Sequence, residues 1–289
     1  MDPQTTVIVL ALASAAAWGA GDFGGGMAGR RAPLLGVVIV TQIAGCGLAA
    51  ILALLRHEPV PGPSDVALAL LAGAIGVVGI SSLYRGLATG RMGVVAPISG
   101  VLSAVVPVLA GIGLQGMPGP AALAGIGLAL VAVVLVSSAP SDSAGPVQAR
   151  IAGLPADVAI ALVAGGSLGV LNVIVSRFTP GSVFAPLVLM RLTEVAIMVI
   201  LIRASRRAWR MPRAVLPLGL LVGGLDMAGN GLFVLAAQAG RLDTAAILSS
   251  MYPVTTLILA AIILKERVVG VHALGVVAAL VAIVLVRIG

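Results

Sequence analysis

The sequence predicts an all-α membrane protein of ten transmembrane helices, arranged as two inverted five-helix repeats. Three observations support this prediction. Of the 289 residues, 60% are hydrophobic and only 9% are charged, against about 25% charged residues in soluble domains. Apolar windows of roughly 20 residues, the length that crosses a bilayer, recur along the whole chain. The second half also repeats the pattern of the first at an offset of 150 residues.

The composition also argues against several classes of protein. A transmembrane β-barrel is disfavoured because the apolar runs are continuous and do not alternate with polar residues. The net charge of +7 comes almost wholly from arginines at the ends of apolar runs, which indicates membrane topology and no nucleic-acid partner. Cys46 is the only cysteine, so no intramolecular disulfide is possible. The N-terminus lacks the basic region of a signal peptide, so we expect the first span to be retained.

Ten apolar spans result when the chain is divided at charges, prolines and turn residues. They cover about residues 5–25, 34–55, 65–88, 92–114, 119–138, 155–176, 183–202, 214–238, 242–264 and 269–287. The connections are short, except for a Ser/Ala/Pro/Gly-rich linker at the middle of the chain. We therefore expect a first repeat at 1–139, a linker at 140–153 and a second repeat at 154–289.

Matching anchor residues support the repeat. The Gly-Arg pair at 90–91 corresponds to the pair at 240–241, and Gly125 corresponds to Gly275. Because five spans are an odd number, the second half must enter the membrane with the opposite orientation. Inverted repeats are the architecture of many secondary transporters, which bind substrate near the bilayer midplane between the halves.

Span one contains a charged residue at membrane depth. Asp22 lies four residues after Trp18, so the two side chains share a face of the helix. Charge inside the membrane is costly and is a functional hypothesis by default. Asp22 is a candidate to bind a substrate amine or to carry a proton. The alternative is a position at the membrane interface, near the end of the span.

Spans seven and eight contain two further polar pairs. Arg191 and Glu194 are three residues apart and can form an ion pair along one helix face. On one interpretation this pair is structural; on the other, Arg191 binds a substrate carboxylate. Asp226 and Asn230 are four residues apart and flanked by glycines, which let a helix or a ligand approach closely. They are the best candidates to line a cavity.

Other polar side chains are weaker cavity candidates. Asn172 and Gln238 either line the cavity or form hydrogen bonds between helices. Tyr84 and Tyr252 are the only tyrosines, and tyrosines in membranes usually mark the interface, but Tyr252 lies beside Pro253 at depth. The hydroxyls of three serines either line a path or bond back to their own helices: Ser99, Ser249 and Ser250.

A proline interrupts span nine, which reads SSMYPVTTLILAAIILKER at residues 249–267. Pro253 cannot donate a backbone hydrogen bond and clashes with the preceding turn, so we predict a helix bend there. The corresponding span four has its prolines at Pro97 and Pro107 instead. We therefore expect spans four and nine to differ in where they bend.

The sequence contains no convincing catalytic or metal motif. The GAGDFG stretch at 19–24 fits G-x-G-x-x-G, but it lies in an apolar helix and follows no strand. His57 and His272 lie in or beside connections and lack metal-ligand spacing. We therefore expect no enzyme activity, no cofactor and no metal.

The chain resembles the EamA-like ten-helix members of the drug/metabolite transporter superfamily. The residues that carry the resemblance are AAAWG at 15–19, MRL at 190–192, the stretch at 235–267 and Gly275. The resemblance implies a cavity lined by spans one, three, four, six, eight and nine, with spans five and ten peripheral. It also implies that both termini are cytoplasmic.

The charge distribution implies the opposite orientation. Basic residues concentrate in the odd-numbered connections: Arg30, Arg31, Arg85, Arg91, Arg150, Arg203, Arg206, Arg207, Arg210, Arg213, Lys265 and Arg267. The termini and even-numbered connections hold only Arg56, Arg177, Arg241 and Arg287. Since positive charge favours the cytoplasmic side, this rule places both termini outside. Both orientations put the two termini on the same side.

These patterns together predict a secondary active transporter, an exporter of a small metabolite or toxic compound by alternating access. Proton coupling would use Asp22, Glu194 or Asp226. The expected location is the bacterial inner membrane, with the lipid bilayer and a small-molecule substrate as partners and a monomeric or homodimeric state. The alternatives are a membrane-embedded lipid-modifying enzyme and a non-transporting membrane scaffold.

Overall fold

The computed structural model of the chain describes residues 2–89, 92–137, 150–151, 154–205, 208–264 and 270–288. The helices of the first half are α1 (Pro3–Gly29), α2 (Leu34–Leu55), α3 (Pro63–Thr89), α4 (Met92–Gln115) and α5 (Pro120–Ser137). Those of the second half are α6 (Ala156–Val175), α7 (Phe184–Ser205), α8 (Leu216–Ala239), α9 (Leu242–Ser249), α10 (Tyr252–Ile263) and α11 (Gly270–Ile288). A short antiparallel pair, β1 (Arg150–Ile151) with β2 (Leu154–Pro155), precedes α6.

Ten spans result because α9 and α10 follow each other across the membrane as one broken span. Within the described residues, eight spans are long and apolar enough to cross a bilayer, the broken span among them, and α5 and α11 are shorter apolar helices. Large hydrophobic side chains such as Leu71, Leu109 and Ile200 are exposed on the helix surfaces, where lipid would cover them. The predicted all-α membrane fold of ten helices is confirmed.

The first helix begins with a side-chain cap. Asp2 Oδ1 accepts a hydrogen bond from the backbone N–H of Thr5 at 2.6 Å, and Pro3 occupies a first-turn position that needs no donor. This backbone hydrogen bond, more than any other contact, holds the pKa of the Asp2 carboxyl below its usual range. Arg287, at the end of α11, donates to Asp2 Oδ2 at 3.1 Å. The two termini therefore lie together on one side, called the termini side below.

The broken ninth span is the local consequence of a proline. Residues Ser250 and Met251 form a turn, and Pro253 lies in the first turn of α10, where its missing N–H costs nothing. Backbone bonds from Ser250 N to Ala246 O (2.9 Å) and from Met251 N to Leu248 O (3.2 Å) end α9. The corresponding helix of the first repeat, α4, is continuous from residue 92 to residue 115.

The two halves pack with a pseudo-twofold relation. Helix α1 packs against α8, and its repeat equivalent α6 packs against α3; α2 likewise packs against its own equivalent α7, and α5 against α11. The small residues reproduce this relation in detail. Gly125 lies against Leu285 and Val286, and Gly275 lies against Leu135 and Val136. The second contact is the first one with the two halves exchanged, because equivalent positions are 150 residues apart. The inverted five-helix repeat is therefore visible in the packing as well as in the sequence.

Candidate functional site

A cavity lies between the two repeats. Eight spans contribute to its lining, which combines apolar with charged and amide side chains: Trp18, Gly21, Asp22, Val38, Thr41, Gln42, Gly76, Ile80, Leu83, Ser103, Leu168, Leu171, Asn172, Arg191, Glu194, Val222, Asp226, Asn230 and Tyr252. Spans two and seven line it in addition to the six that the family resemblance implied. Helices α5 and α11 contribute nothing to this lining within the described residues.

The cavity is small. The space open to the centres of water molecules is about 130 Å³. One water needs roughly 10–15 Å³ on that measure, so the cavity has room for several waters or for one small polar molecule.

Arg191 is the centre of a charged cluster in the cavity. Its Nη1 donates to Glu194 Oε2 at 2.9 Å and to Gln42 Oε1, and its Nη2 donates to Asp226 Oδ2. Arg191 and Glu194 are only 4% and 3% exposed, so the pair is shielded from bulk water. The guanidinium therefore joins α2, α7 and α8 across the centre of the molecule. Its Nε is buried and has no acceptor within the described chain.

The two aspartates of the cavity differ in their partners. Asp226 is held by Arg191, and its backbone carbonyl accepts a hydrogen bond from Asn230 Nδ2 at 2.7 Å. Asp22 lines the same cavity, and its side chain is exposed to the space inside it. Within the described residues Asp22 forms no hydrogen bond or ion pair, although it lies close enough to Asp226 and Tyr252 to interact with both through charge. Asp22 is therefore the carboxylate that is free to bind something else.

Aromatic rings lie beside Asp22. The ring centroid of Trp18 is 5.7 Å from that of Phe233 and 6.5 Å from that of Tyr252, the latter with edge-to-face geometry. The Trp18 indole fills the space over Gly229, where a Cβ atom would come within 2.6 Å of its Nε1. Contacts of this kind hold aromatic rings in fixed positions. Trp18 and Tyr252 therefore form a rigid wall of the cavity.

The charges of the cavity do not balance. Its described lining carries three carboxyl groups, on Asp22, Glu194 and Asp226, and one guanidinium, on Arg191. With all four groups ionised, the excess would be two negative charges at membrane depth. An uncompensated ion in such a place costs several kcal/mol. The site therefore favours the uptake of a proton or of another cation.

Some of the predicted site residues lie elsewhere. Ser249 Oγ donates to Ala11 O at 3.2 Å in the contact between α9 and α1. Ser250 and Ser99 donate back to their own helices, to Ile247 O and Val95 O. The structure thus places all three serines in or between helices, outside the cavity lining. The side chain of Tyr84 and the Lys-Glu-Arg end of span nine lie outside the described residues.

Three polar lining residues were not predicted. Gln42 accepts from Arg191, and Thr41 lies beside it on α2. Ser103, on α4, interacts with the hydroxyl of Tyr252. A signal was present in the sequence, because Gln42 is an amide within an apolar span and stands one position from the repeat equivalent of Arg191. A search for polar residues around the repeat equivalents of known candidates would have found it.

The termini side of the molecule is closed by a carboxylate cap. Glu58 Oε2 accepts hydrogen bonds from the backbone N–H groups of Val183 (3.0 Å), Phe184 (2.7 Å) and Ala185 (2.8 Å). These amides form the N-terminal end of α7, which otherwise lacks acceptors and carries a positive partial charge. Arg56 pairs with Glu58 Oε1 at 3.2 Å. The connection between α2 and α3 thus holds the start of α7.

Further hydrogen bonds close the same side. Asp65 Oδ1 accepts from the backbone N–H of Thr179 at 3.0 Å. Gln238 Nε2 donates to the carbonyl of Ser182 at 3.2 Å, so it forms hydrogen bonds between helix ends and does not line the cavity. Arg241 Nη2 donates to a carbonyl in the connection between α4 and α5 at 2.6 Å. The contacts of Asp65 and Arg241 join the two repeats across the termini side, whereas Gln238 and Ser182 both belong to the second repeat.

We expect Glu58→Ala to lower the free energy of unfolding by about 1–3 kcal/mol, because three backbone N–H groups lose their acceptor in a site where the Glu58 side chain is only 2% exposed. Thermal unfolding of the purified protein in detergent measures this. Glu58→Gln keeps one acceptor oxygen and is expected to lose less stability. Equal midpoints for Glu58→Ala and the unchanged protein would contradict the role of the cap.

No cluster of three or more His, Cys, Asp or Glu side chains that could hold a metal ion occurs in the described residues. The half-buried Cys46 is a free thiol on α2. The described residues of the cavity offer charge, hydrogen bonds and aromatic faces.

Comparison with known proteins agrees with this architecture. Residues 5–138 and 157–288 each match the model of the EamA-like transporter family. A solved crystal structure, described only as "Crystal structure of protein", superposes with a TM-score of 0.76 at 16% identity, over 97% of this chain and 96% of the other; at that identity it shows the fold alone. Among the curated proteins no sequence matches. Since both halves match, the chain belongs to the EamA-like transporter family, whose members are multi-pass membrane transporters of small compounds.

Proposed function

We propose that the chain is a secondary active exporter of a small compound in the bacterial inner membrane, driven by protons and working by alternating access. The observation that carries this proposal is the cavity between the inverted repeats, with its four charged side chains at membrane depth. Charge in that position is costly, and transport gives it a role. The inverted repeats supply two halves that can exchange the side on which the cavity opens.

The hydrogen bonds on the termini side of the molecule support alternating access. Asp22 lies in the last third of α1, Val38 near the start of α2, Leu83 late in α3 and Val222 early in α8. All four positions are displaced from the termini side towards the opposite side, called the arginine-rich side here, whereas Asn172 lines the cavity from the last quarter of α6, nearer the termini side. The termini side is held together by Glu58 and the neighbouring hydrogen bonds. A side that is closed by hydrogen bonds in this way is expected of a transporter in one of its two states.

The direction of transport depends on the orientation in the membrane. The positive-inside rule places the arginine-rich side in the cytoplasm, and the cavity then receives its substrate from the cytoplasm, as an exporter requires. The cytoplasmic termini implied by the resemblance would give the reverse orientation. We adopt the charge-based orientation for the proposal.

A carboxylate without a protein partner is the natural proton carrier. Glu194 and Asp226 are both bound to Arg191, whereas Asp22 is not. Protonation of Asp22 removes a negative charge from the cavity without breaking an ion pair. We therefore assign the coupling role to Asp22, with Glu194 and Asp226 holding Arg191 in place.

The test combines metabolite analysis with reconstituted transport. Compounds that accumulate in the medium of overexpressing cells are identified, and the same compounds are then offered to proteoliposomes with an imposed pH gradient. We expect Asp22→Asn to abolish pH-driven transport, and the triple variant Asp22→Asn, Glu194→Gln, Asp226→Asn to do the same. Asp2→Asn, which removes a carboxylate outside the membrane, is the matched control and retains transport. Unchanged pH-driven transport in the triple variant would overturn proton coupling.

A further inference from the structure

We propose that the cavity binds a small organic cation, such as a protonated or quaternary amine, at the Asp22 carboxylate and against the rings of Trp18 and Tyr252. This inference rests on the proposed transport function and adds the chemical class of the substrate. It rests on three features of the cavity: its charge balance, the free carboxylate and the neighbouring aromatic wall.

The charge balance favours a cationic ligand. Three carboxyl groups face one guanidinium, and that guanidinium is already bound to Glu194 and Asp226. A monovalent cation beside Asp22 would neutralise a charge that no protein group neutralises within the described chain. The attraction between the two charges is stronger there than in water, because the surrounding dielectric constant is lower.

The same contacts disfavour an anionic ligand. Arg191 is the only cation of the described lining, and it is bound to two carboxylates and an amide. A carboxylate from a substrate would have to displace Glu194 or Asp226 and leave that group buried without a partner. Such a group costs several kcal/mol. The Arg191 cluster is therefore a positioning element and not the anion site that the sequence left open.

The aromatic wall supplies the second half of the site. Trp18 precedes Asp22 by one helical turn, so the indole and the carboxylate point into the cavity from one face of α1. The ring of Tyr252 stands edge-on to Trp18 at 6.5 Å. Tryptophan faces attract ammonium groups more strongly than other rings do. An ammonium group next to Asp22 would therefore meet a carboxylate and aromatic faces at the same place.

Binding of a cation at Asp22 also determines the net charge that one transport cycle moves. One proton leaves Asp22 when one monovalent cation binds there, so exchange of a proton for the cation moves no net charge. The other charged or titratable groups that face Asp22 remain in place during this exchange: Asp226 on α8, Tyr252 on α10, and Arg191 and Glu194 on α7. Binding is therefore expected to weaken as the pH falls, because protons compete for the same carboxylate.

Binding can be measured through Trp18 itself. The chain has two tryptophans, and Trp209 is 44% exposed outside the cavity, so Trp209→Phe leaves Trp18 as the single reporter. In this background, choline is titrated beside 3,3-dimethylbutanol, its neutral isostere, and 3,3-dimethylbutyrate, an anion of similar shape. We expect choline to change the fluorescence with saturation, at least about tenfold more tightly than the neutral and anionic probes.

Variants decide whether Asp22 is responsible. Asp22→Asn is expected to raise the choline dissociation constant about tenfold and to remove the pH dependence of binding. Asp22→Glu is expected to retain the affinity for choline and its pH dependence. Asp2→Asn, the control, is expected to bind choline like the Trp209→Phe background. Equal binding of all three probes, or choline binding unaffected in a folded Asp22→Asn variant, would overturn the cation assignment. That result is distinct from failure of the transport proposal, in which choline binds as expected but neither choline nor any other compound crosses proteoliposome membranes.

Discussion

Arg191→Met is expected to destabilise the protein by about 3–5 kcal/mol and to abolish transport. The substitution leaves Glu194 buried at 3% exposure without its partner, and it also removes the donors to Gln42 and Asp226. The three helices α2, α7 and α8 then lose their common contact at the centre of the cavity. Thermal unfolding in detergent and transport in proteoliposomes measure the two effects.

Charge-balanced variants separate the ion pair from the bulk of the side chain. Arg191→Met combined with Glu194→Met is expected to recover part of the lost stability, because no buried charge then lacks its partner on α7. Transport is not expected to recover with it, since the cluster no longer positions Asp226. Arg191→Lys is expected to have low stability and low transport, because an ammonium group cannot reproduce the planar guanidinium that donates to three acceptors. A fully stable Arg191→Met single variant would contradict the central role of this residue.

Alanine at Gly19 or at its repeat equivalent Gly169 is expected to cost about 1–3 kcal/mol and to lower transport. A Cβ atom on Gly19 would lie 2.6 Å from Thr255 Cβ in α10, and one on Gly169 would lie 2.7 Å from Val106 Cβ in α4. Neither helix can accept the atom without moving away from α1 or α6. Thermal midpoints and transport rates of Gly19→Ala and Gly169→Ala provide the measurement.

Two glycines on the same helices provide matched controls. A Cβ atom at Gly26 on α1 or at Gly166 on α6 would meet nothing within 4 Å. Alanine at these positions is expected to leave stability unchanged or to raise it by up to about 1 kcal/mol, because glycine is a poor helix former. If alanine at Gly19 or Gly169 behaved like alanine at Gly26, close helix packing would not explain these glycines.

Much of the fold was predictable because hydrophobic length and repetition are properties of the chain itself. A span is read from about 20 apolar residues, and the observed helices agree with the predicted spans to within a few residues at most ends. The main local departure is the turn at Ser250 and Met251, which divides the ninth span directly before Pro253. The sequence indicated a bend there but not a division into two helices.

The cavity was predictable only in part. Charged residues at membrane depth identified Asp22, Arg191, Glu194 and Asp226, and all four lie together. Sequence spacing showed which of them share a helix face, but it does not show distances between helices. The bond between Arg191 and Asp226, and the one to Gln42, result from how α2, α7 and α8 pack.

The sequence by itself determined the membrane class, the ten spans, the two repeats and the set of charged residues, because each follows from composition and periodicity along the chain. Only the tertiary structure decided that Arg191 pairs with two carboxylates while Asp22 pairs with no cation in the described chain, and that Glu58 caps α7. The physical reason is that the partners of a buried charge are set by side chains from other helices. Their distances depend on packing that no local pattern records.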